Sequence, residues 1–339
     1  MKYCYLVIFT IFSLTTALAQ QPTATELRTT ARTLLQKGDL DNAIKALEAA
    51  KQSEPGNIDV LKELSYAAFI KKDYARAMEV GKEAVANLQA DAQAYQILGL
   101  SYKAIALYKE GEKLYKTALA KFPNDGVLYN EYGEMLALDN KADEAIAQWE
   151  KGIRSDPSYS SNYYNATLYY AQSKNWLRTA VYGELFVNLE SYTKRTESIK
   201  TQTLAAWSNQ FMPGYIKTAQ NARGVSDFEK SMLTVLDHLS SLAAGGITAD
   251  NIGSIRQQFI AEWMQNNDKK YPFRLFNHQQ QLLALGYFEA YNQWLFGEPA
   301  NAGSYLLWQT NHQKQFQDFK TFQQGRVFKI PVDQYYFTR

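Results

Sequence analysis

The sequence predicts an all-α protein, with a solenoid of helix pairs in its first half and a helical domain in its second half. Three observations support this prediction. Small residues recur every 34 residues between positions 43 and 152, which suits two antiparallel helices and their turns. After residue 193, apolar residues continue at helical spacing. The 8 prolines and 18 glycines in 339 residues are few for the turns of an all-β chain.

The composition is that of a globular protein with balanced charge. Hydrophobic residues make up 46% of the chain and charged residues 21%, which excludes disordered and fibrous classes. The length allows roughly two domains. The 36 basic residues nearly balance the 34 acidic ones, so the formal net charge is only +2. Because nucleic-acid binding normally shows as a basic surplus, we expect no nucleic-acid partner and no attraction to an anionic membrane surface.

The first 19 residues have the three parts of a secretory signal peptide. A basic start is followed by an apolar core from Cys4 to Leu14 and by an A-x-A sequence that ends at Ala19. A membrane anchor is the alternative, but spanning takes about 20 apolar residues and this core is shorter. Cleavage would leave Gln20 first and remove Cys4, the only cysteine. We therefore expect an exported protein without disulfides or a membrane span, in the periplasm or at the surface of a Gram-negative bacterium.

A period of 34 residues organises the first half of the chain. Small residues are needed where two helices cross closely, because interaxial distances fall to about 8–10 Å. Proline stops a helix, since it lacks an N–H donor and clashes with the preceding turn. Both features recur at this period. The small residues are Ala43, Ala77, Gly111 and Ala145, and then Ala50, Ala84, Ala118 and Gly152; the prolines are Pro55, Pro123 and Pro157.

This pattern resembles the tetratricopeptide repeat family. The third repeat matches best, with pattern residues at Tyr95, Leu98, Gly99, Tyr102, Gly111, Tyr115, Ala118 and Pro123. Within a repeat region of 20–193, the repeats are about 24–57, 58–91, 92–125, 126–159 and a degenerate fifth at 160–193. The fifth has Thr179 where alanine belongs, unless it is shifted by one residue onto Ala180.

The resemblance implies a function for the first helix of each repeat. In this family these helices line a concave groove that accepts extended peptides or helices. The chain would then be a non-catalytic scaffold for another protein or peptide, and the export signal places that partner in the cell envelope. Tyr66 stands where the co-chaperones of this family have an asparagine, so we do not expect a chaperone tail. The groove positions are Arg28, Arg32, Lys62, Tyr66, Phe69, Gln93, Gln96, Lys103, Asn130, Glu134 and Tyr164.

Residues 194–339 are predicted to form an aromatic-rich helical domain with an extended tail from Arg326. Ser226 and Glu229 make a capping box, and Thr248 caps the next helix. A long helical segment after Pro272 is apolar nearly all round towards its end, where only a glutamate, an asparagine and a glutamine interrupt it. A helix that is apolar on every side is buried, so we place this segment at the centre of the domain.

The aromatic residues of this domain have two interpretations. They form a helical core, or they line a pocket in which Tyr291, Trp294, Tyr305 and Trp308 stack on a sugar or peptide. The second interpretation makes the domain a carbohydrate- or peptide-binding module, with the repeats as a platform. Glu289 lies in the buried segment, where a carboxylate needs a partner. We expect structural pairing for it, with ligand binding or acid–base catalysis as alternatives. The candidate partners are Arg256, Arg274 and His278.

The sequence carries no catalytic or metal-binding motif. It lacks a phosphate loop, the G-x-G-x-x-G and G-x-S-x-G motifs, and H-E-x-x-H. No cysteine follows Cys4 to act as a nucleophile. His278 and Glu289 share one predicted helix, but eleven residues of helix separate them by roughly 16 Å, too far to bind one metal ion. We therefore expect no enzymatic activity, no metal and no cofactor.

Overall fold

The structure, a computed structural model, describes residues 22–337. It divides into two compact units, one ending at Ala90 and one beginning at Asp91. Every regular element among the described residues is a helix, which confirms the all-α prediction. The predicted signal peptide lies outside the described residues, as do the last two residues of the predicted tail.

The first unit consists of two helix pairs. Side chains of Thr23, Asp39, Asn57 and Asp73 accept hydrogen bonds from backbone N–H groups in the first turn of each helix, which otherwise lack partners. Small residues on the second helices are fully buried, as the 34-residue period predicts. The helices are α1 (Ala24–Gln36), α2 (Leu40–Ser53), α3 (Ile58–Ile70) and α4 (Tyr74–Ala86).

The second unit begins with three more helix pairs. The first helices of all five pairs start at residues 24, 58, 92, 126 and 160, each 34 residues after the one before. The fifth pair needs no shift onto Ala180, because Thr179 is itself fully buried at the alanine position. The helices are α5 (Ala92–Ala104), α6 (Tyr108–Lys121), α7 (Gly126–Leu138), α8 (Ala142–Ser155), α9 (Ser160–Gln172) and α10 (Trp176–Leu189).

Glycines in these pairs make room for large side chains of a neighbouring helix. A Cβ atom at Gly99 would overlap the hydroxyl of Tyr115, which α6 packs against α5. A Cβ atom at Gly133 would overlap the indole of Trp149 in the same way, one repeat later. The structure thus gives the small residues the close-crossing role that the sequence predicts for them.

The helices after the repeats are shorter and less regular. The predicted capping box at Ser226 and the predicted cap at Thr248 are both present, and Thr248 also forms a capping box, with Asn251. The segment from Gly325 to Phe337 has no regular structure, and Phe337 inserts into the core. The helices are α11 (Lys194–Gln210), α12 (Tyr215–Gln220), α13 (Asp227–His238), a 3₁₀ turn (Ser240–Ala243), α14 (Ala249–Asn266), α15 (Arg274–Ala284), α16 (Phe288–Asn292), a π-helical turn (Gln293–Gly297), α17 (Glu298–Ala300), α18 (Ala302–Asn311) and α19 (Gln313–Gln324).

The prediction of one long helix after Pro272 is wrong. The chain breaks between α15 and α16 at Gly286, whose φ of 72° is left-handed. The N–H of Tyr287 donates to the carbonyl of Leu282, which closes the end of α15 as a glycine cap does. His278 and Glu289 therefore lie on different helices and do not share a face. A second break, at His312, separates α18 from α19.

Candidate functional site

In the first unit, the predicted groove residues lie together on α1 and α3. Arg28 donates to Glu63 at 2.8 Å and contacts Asp59 at 3.0 Å, and Arg32 also pairs with Glu63. The same aspartate pairs with the predicted groove residue Lys62. These ion pairs between arginines and carboxylates link α1 to α3. Tyr66 and Phe69 of α3 stack with ring centroids 6.4 Å apart.

Tyr66 is the exposed aromatic residue of this group. Its exposed fraction of 43% is high for an aromatic residue in a helix whose other side is buried. Since tyrosine buries a large area at low entropic cost, an exposed tyrosine on a predicted binding face is a natural anchor for a partner.

In the second unit, side chains from α5, α7 and α9 form one hydrogen-bonded group, which we call the polar row. Lys103 of α5 lies 2.7 Å from both Glu131 and Glu134 of α7. Asn130 donates to Glu134 at 2.9 Å, and Asn165 of α9 donates to Asn130 at 2.9 Å. Three successive first helices thus contribute to one connected polar group within this unit, in which Asn130 and Glu131 are buried and the other three side chains are partly exposed.

Neighbouring groups keep Lys103 and Glu134 of the polar row ionised. Burial opposes the charge of Lys103, but the two neighbouring carboxylates outweigh it and raise the pKa of Lys103. Burial likewise opposes the charge of Glu134, yet Lys103 and the two asparagines lower the pKa of Glu134 below its ordinary value. The row therefore presents a lysine cation and a glutamate anion at neutral pH.

The other predicted groove residues of the second unit flank the polar row. Gln96 donates to Glu131 at 3.4 Å, and Gln93 is exposed at the start of α5. The guanidinium of Arg195 lies 4.9 Å from the ring centre of Tyr164, so a cation covers one face of that ring. The sequence prediction missed Glu131 and Asn165, although they are 34 residues apart and the period itself could have linked them.

The structure divides Glu289 and the predicted pocket residues Tyr291, Trp294 and Trp308 between the core and the surface. Tyr291 and Trp294 are buried in the helical core, with ring centroids 5.8 Å apart. Glu289 is exposed, which corrects the expectation of a buried carboxylate, and it accepts a hydrogen bond from Trp308 Nε1 at 3.0 Å. None of the three expected partners pairs with it, because the break at Gly286 places Glu289 on the exposed side of α16, whose other residues are buried.

Glu184 and Glu229 are buried carboxylates that the sequence analysis did not single out as such. Glu184 of α10 accepts hydrogen bonds from Gln279 at 2.5 Å and Tyr291 at 2.7 Å, and it pairs with Arg256 of α14. Both members of this ion pair are almost fully buried. Burial, with Glu184 adding to it, raises the pKa of Tyr291. Sequence reasoning missed Glu184 because its cation, Arg256, lies 72 residues further along the chain.

Glu229 holds the last repeat to α13. Arg178 of α10 donates to it through two nitrogens, at 2.6 and 2.9 Å, and through a third to Glu150 of α8 at 2.8 Å. Burial works against the cation, but its hydrogen bonds to Glu229 raise the pKa of Arg178 above its ordinary value. The capping residue predicted at Glu229 thus has a second role as an ion-pair partner.

His278 is the third unusual buried group. It is fully buried, and neither ring nitrogen has a hydrogen-bond partner among the described residues. Its neighbours include the rings of Phe322 and Phe328. Burial, reinforced by Arg326 and Arg274, lowers the pKa of His278 to about 2. Within residues 22–337, no group of three or more histidine, cysteine, aspartate or glutamate side chains is placed to hold a metal ion.

The comparison with protein families agrees with this geometry. The tetratricopeptide repeat model matches residues 28–94 and 98–160. The chain carries tetratricopeptide repeats. These two stretches cover most of the first four helix pairs, so the family assigned from the sequence is confirmed there, and the additional helices after the repeats are compatible with it.

Solved structures of other repeat proteins resemble part of the chain. MamA is 24% identical, and the match covers 48% of this chain and 94% of MamA with a TM-score of 0.41. TTC0263, a thermophilic TPR protein of Thermus thermophilus, is 16% identical, with coverage of 54% and 98% and a TM-score of 0.44. Pseudomonas aeruginosa pilF is 15% identical, with coverage of 62% and 96% and a TM-score of 0.48.

In the described part of this chain, no helix is both long and apolar enough to cross a membrane.

Proposed function

We propose that the protein is a non-catalytic scaffold that binds another protein or peptide through the first helices of its repeats. The polar row is the observation that supports this proposal most directly. Structural stability alone does not require three successive first helices to share a connected set of lysine, glutamate and asparagine side chains at a partly open face. Such a set suits recognition of a polar chain laid across the helices.

The chemistry of the polar row fits a peptide. An extended peptide offers one N–H donor and one carbonyl acceptor per residue, and glutamine and asparagine amides can match both. Asn165 of the row and Gln93 beside it supply such amides, while Lys103 and Glu134 offer one charge of each sign. In the first unit, Tyr66 adds an exposed aromatic ring of the type that is enriched in binding hot spots.

The predicted signal peptide suggests where the partner is. A protein exported across the inner membrane meets partners in the cell envelope, so we place the interaction in the periplasm or at the cell surface. Mass spectrometry of the protein recovered from its own cells should then find Gln20 as the first residue. Residues 1–19 still attached in the recovered protein would contradict this location.

Peptide selection tests the binding face. A phage-displayed random peptide library is panned on the full mature chain, and the selected peptides are titrated against single variants. We expect Tyr66→Ala or Gln93→Ala to weaken the selected peptides, with a hot-spot loss of about 2 kcal/mol, or roughly 30-fold, for the tyrosine. The structure argues against Lys103→Glu as a variant, because the new carboxylate would face Glu131 and Glu134.

Tyr192→Ala is the matched control for this experiment. Tyr192 is 55% exposed, similar to Tyr66, but it follows α10 and does not lie on the first helix of any repeat. The selected peptides should bind the control variant as tightly as the unchanged chain. Peptides that bind the Tyr66 and Gln93 variants at full affinity would show that the first helices are not the binding face.

The alternative function, a carbohydrate- or peptide-binding module after the repeats, has narrower support. Only Trp308 of the predicted pocket combines partial exposure with a neighbouring carboxylate, that of Glu289. A glycan array probed with the full chain and with Trp308→Ala tests it. Glycan binding that is lost in this variant would favour the module over the scaffold.

A further inference from the structure

We propose that the second unit has another binding surface, a cleft that takes an acidic peptide segment carrying apolar side chains. The cleft has a volume of about 1030 Å³. Its walls come from α8, the turn before α10, the segment from α12 into α13, and the end of the tail. We call it the basic cleft. It does not include the residues of the polar row, so this proposal goes beyond the function proposed above.

The inner part of the basic cleft is lined by apolar side chains, and the charged arginine there is already paired with carboxylates. Ile146, Leu177, Leu233 and Phe337 line it and are themselves largely buried. Arg178 also lines the cleft, but it already binds two carboxylates and stacks on aromatic rings. The interior therefore offers an apolar surface and no uncompensated charge, which suits aliphatic or aromatic side chains of a ligand.

The rim of the basic cleft is positively charged. Its four cations come from three places in the chain: Lys151 and Arg154 from α8, Lys174 from the turn before α10, and Arg223 from the segment after α12. All four are exposed, and within residues 22–337 none of them forms an ion pair. Free cations on the rim of an apolar cleft attract a ligand of the opposite charge.

The acidic residues of the basic cleft do not cancel this rim. Asp143 accepts a hydrogen bond from the hydroxyl of Tyr169 at 2.6 Å, and Glu150 and Glu229 both pair with Arg178. Five cations and three carboxylates line the cleft, which leaves two positive charges in excess. The whole chain has a formal net charge of only +2, so the excess is concentrated here.

A peptide fits these observations better than a small anion. The cleft volume lies at the upper end of the range for small-molecule sites, about 300–1,000 Å³. The cations are spread along the rim on separate segments, whereas a phosphate or sulfate site gathers its donors around one point. An inorganic anion would also leave the apolar interior unused. An acidic segment with apolar side chains would use both the rim and the interior.

Fluorescence anisotropy with synthetic peptides tests the basic cleft. The probe is a labelled peptide of glutamate and leucine, compared with the same peptide carrying glutamine or lysine in place of glutamate. We expect the full chain to bind the acidic peptide at least tenfold more tightly than the other two. The double variant Lys151→Glu, Arg154→Glu should lose at least tenfold in affinity, and Arg223→Glu alone should lose less.

The matched control is Lys109→Glu, Lys113→Glu on α6. These lysines are also exposed, lie outside the cleft, and change the net charge by the same amount. An equal loss in both double variants would reveal general electrostatic attraction and overturn the proposal. Binding of all three peptides alike would overturn it too, as would displacement of the acidic peptide by millimolar inorganic phosphate. Tyr66→Ala should leave this binding unchanged, so the two proposed surfaces succeed or fail separately.

Discussion

The helix pairs and the helices that follow them are held together by different means. In the repeats of the second unit, glycines such as Gly99 admit large side chains such as Tyr115, and ion pairs such as Lys116–Glu112 stay near the surface. After the repeats, nearly fully buried charges such as Arg256 join the elements. A repeating unit can fix its geometry with small residues at a constant period. Helices of unequal length have no such period, and specific polar partners set their positions.

The largest expected effect in this comparison is at Arg256. Arg256→Ala leaves Glu184 buried without its cation, which typically costs about 3–5 kcal/mol. Tryptophan fluorescence during urea unfolding measures this loss of stability. The first of the 6 tryptophans is Trp149, so the fluorescence reports on unfolding of the second unit. Lys116→Ala removes an exposed pair of the repeats and should cost less than about 0.5 kcal/mol.

A double variant distinguishes the effect of the Arg256 charge from the effect of its packing. Arg256→Met combined with Glu184→Gln removes both charges, so most of the lost stability should return. A double variant as unstable as Arg256→Ala would show that the arginine acts through packing rather than through its charge, and the contrast with the repeats would weaken.

The next effect concerns the glycines of the repeats. Gly99→Leu forces the ring of Tyr115 to move, and overpacking of this kind costs about 3 kcal/mol. Leu100→Ala, one residue further on a partly exposed face, should cost clearly less. Urea midpoints for the two variants decide this. Equal midpoints would contradict the helix register of the third repeat.

The third effect is a pH dependence at His278. Its pKa of about 2 in the folded protein lies far below its ordinary value near 6.5, so the unfolded chain binds the extra proton first. Stability from this group is therefore complete above pH 6.5 and decreases as the pH falls below it. Between pH 7 and pH 5 we expect a loss of about 2 kcal/mol.

His278→Phe should remove that part of the pH dependence, since a phenyl ring cannot take up the proton. The unfolding free energies of the two proteins, measured at pH 7 and pH 5, give the difference directly. The same slope in both proteins would mean that His278 does not carry it.

The smallest effect tests the turns inside the helix pairs. These turns place Gly38, Lys72, Ala106, Asn140 and Lys174 at positive φ, one in each pair. Ala106→Gly should therefore stabilise the second unit by about 1 kcal/mol, because a left-handed conformation strains a residue with a Cβ atom. Ala104→Gly, two residues earlier in α5, should instead destabilise it by a similar amount. A destabilising Ala106→Gly would contradict the turn geometry.

Much of the fold could be predicted from local signals. The start of each helix pair follows from the 34-residue period, and the caps at Ser226 and Thr248 follow from short-range hydrogen bonding. The break at Gly286 was missed because a single glycine in an apolar segment also fits a continuous helix. As a result, Glu289 was expected in the core, although the structure exposes it.

The candidate sites, like the fold, could be predicted only in part from the sequence. The repeat period placed Lys103, Asn130 and Glu134 on first helices, where the structure joins them in the polar row. The period could not show that the cations of the basic cleft meet, because they come from segments that it does not relate.

By itself, the sequence determined the elements that depend on neighbours within about one repeat. These are the helix pairs, their caps and the small residues at the crossings, because each depends on contacts between residues close in the chain. Only the tertiary structure decided which distant polar groups meet. Glu184 and Arg256 are separated by 72 residues, and Arg178 and Glu229 by 51. No periodic pattern links such pairs, since each joins α10 of the last repeat to a helix outside the repeats.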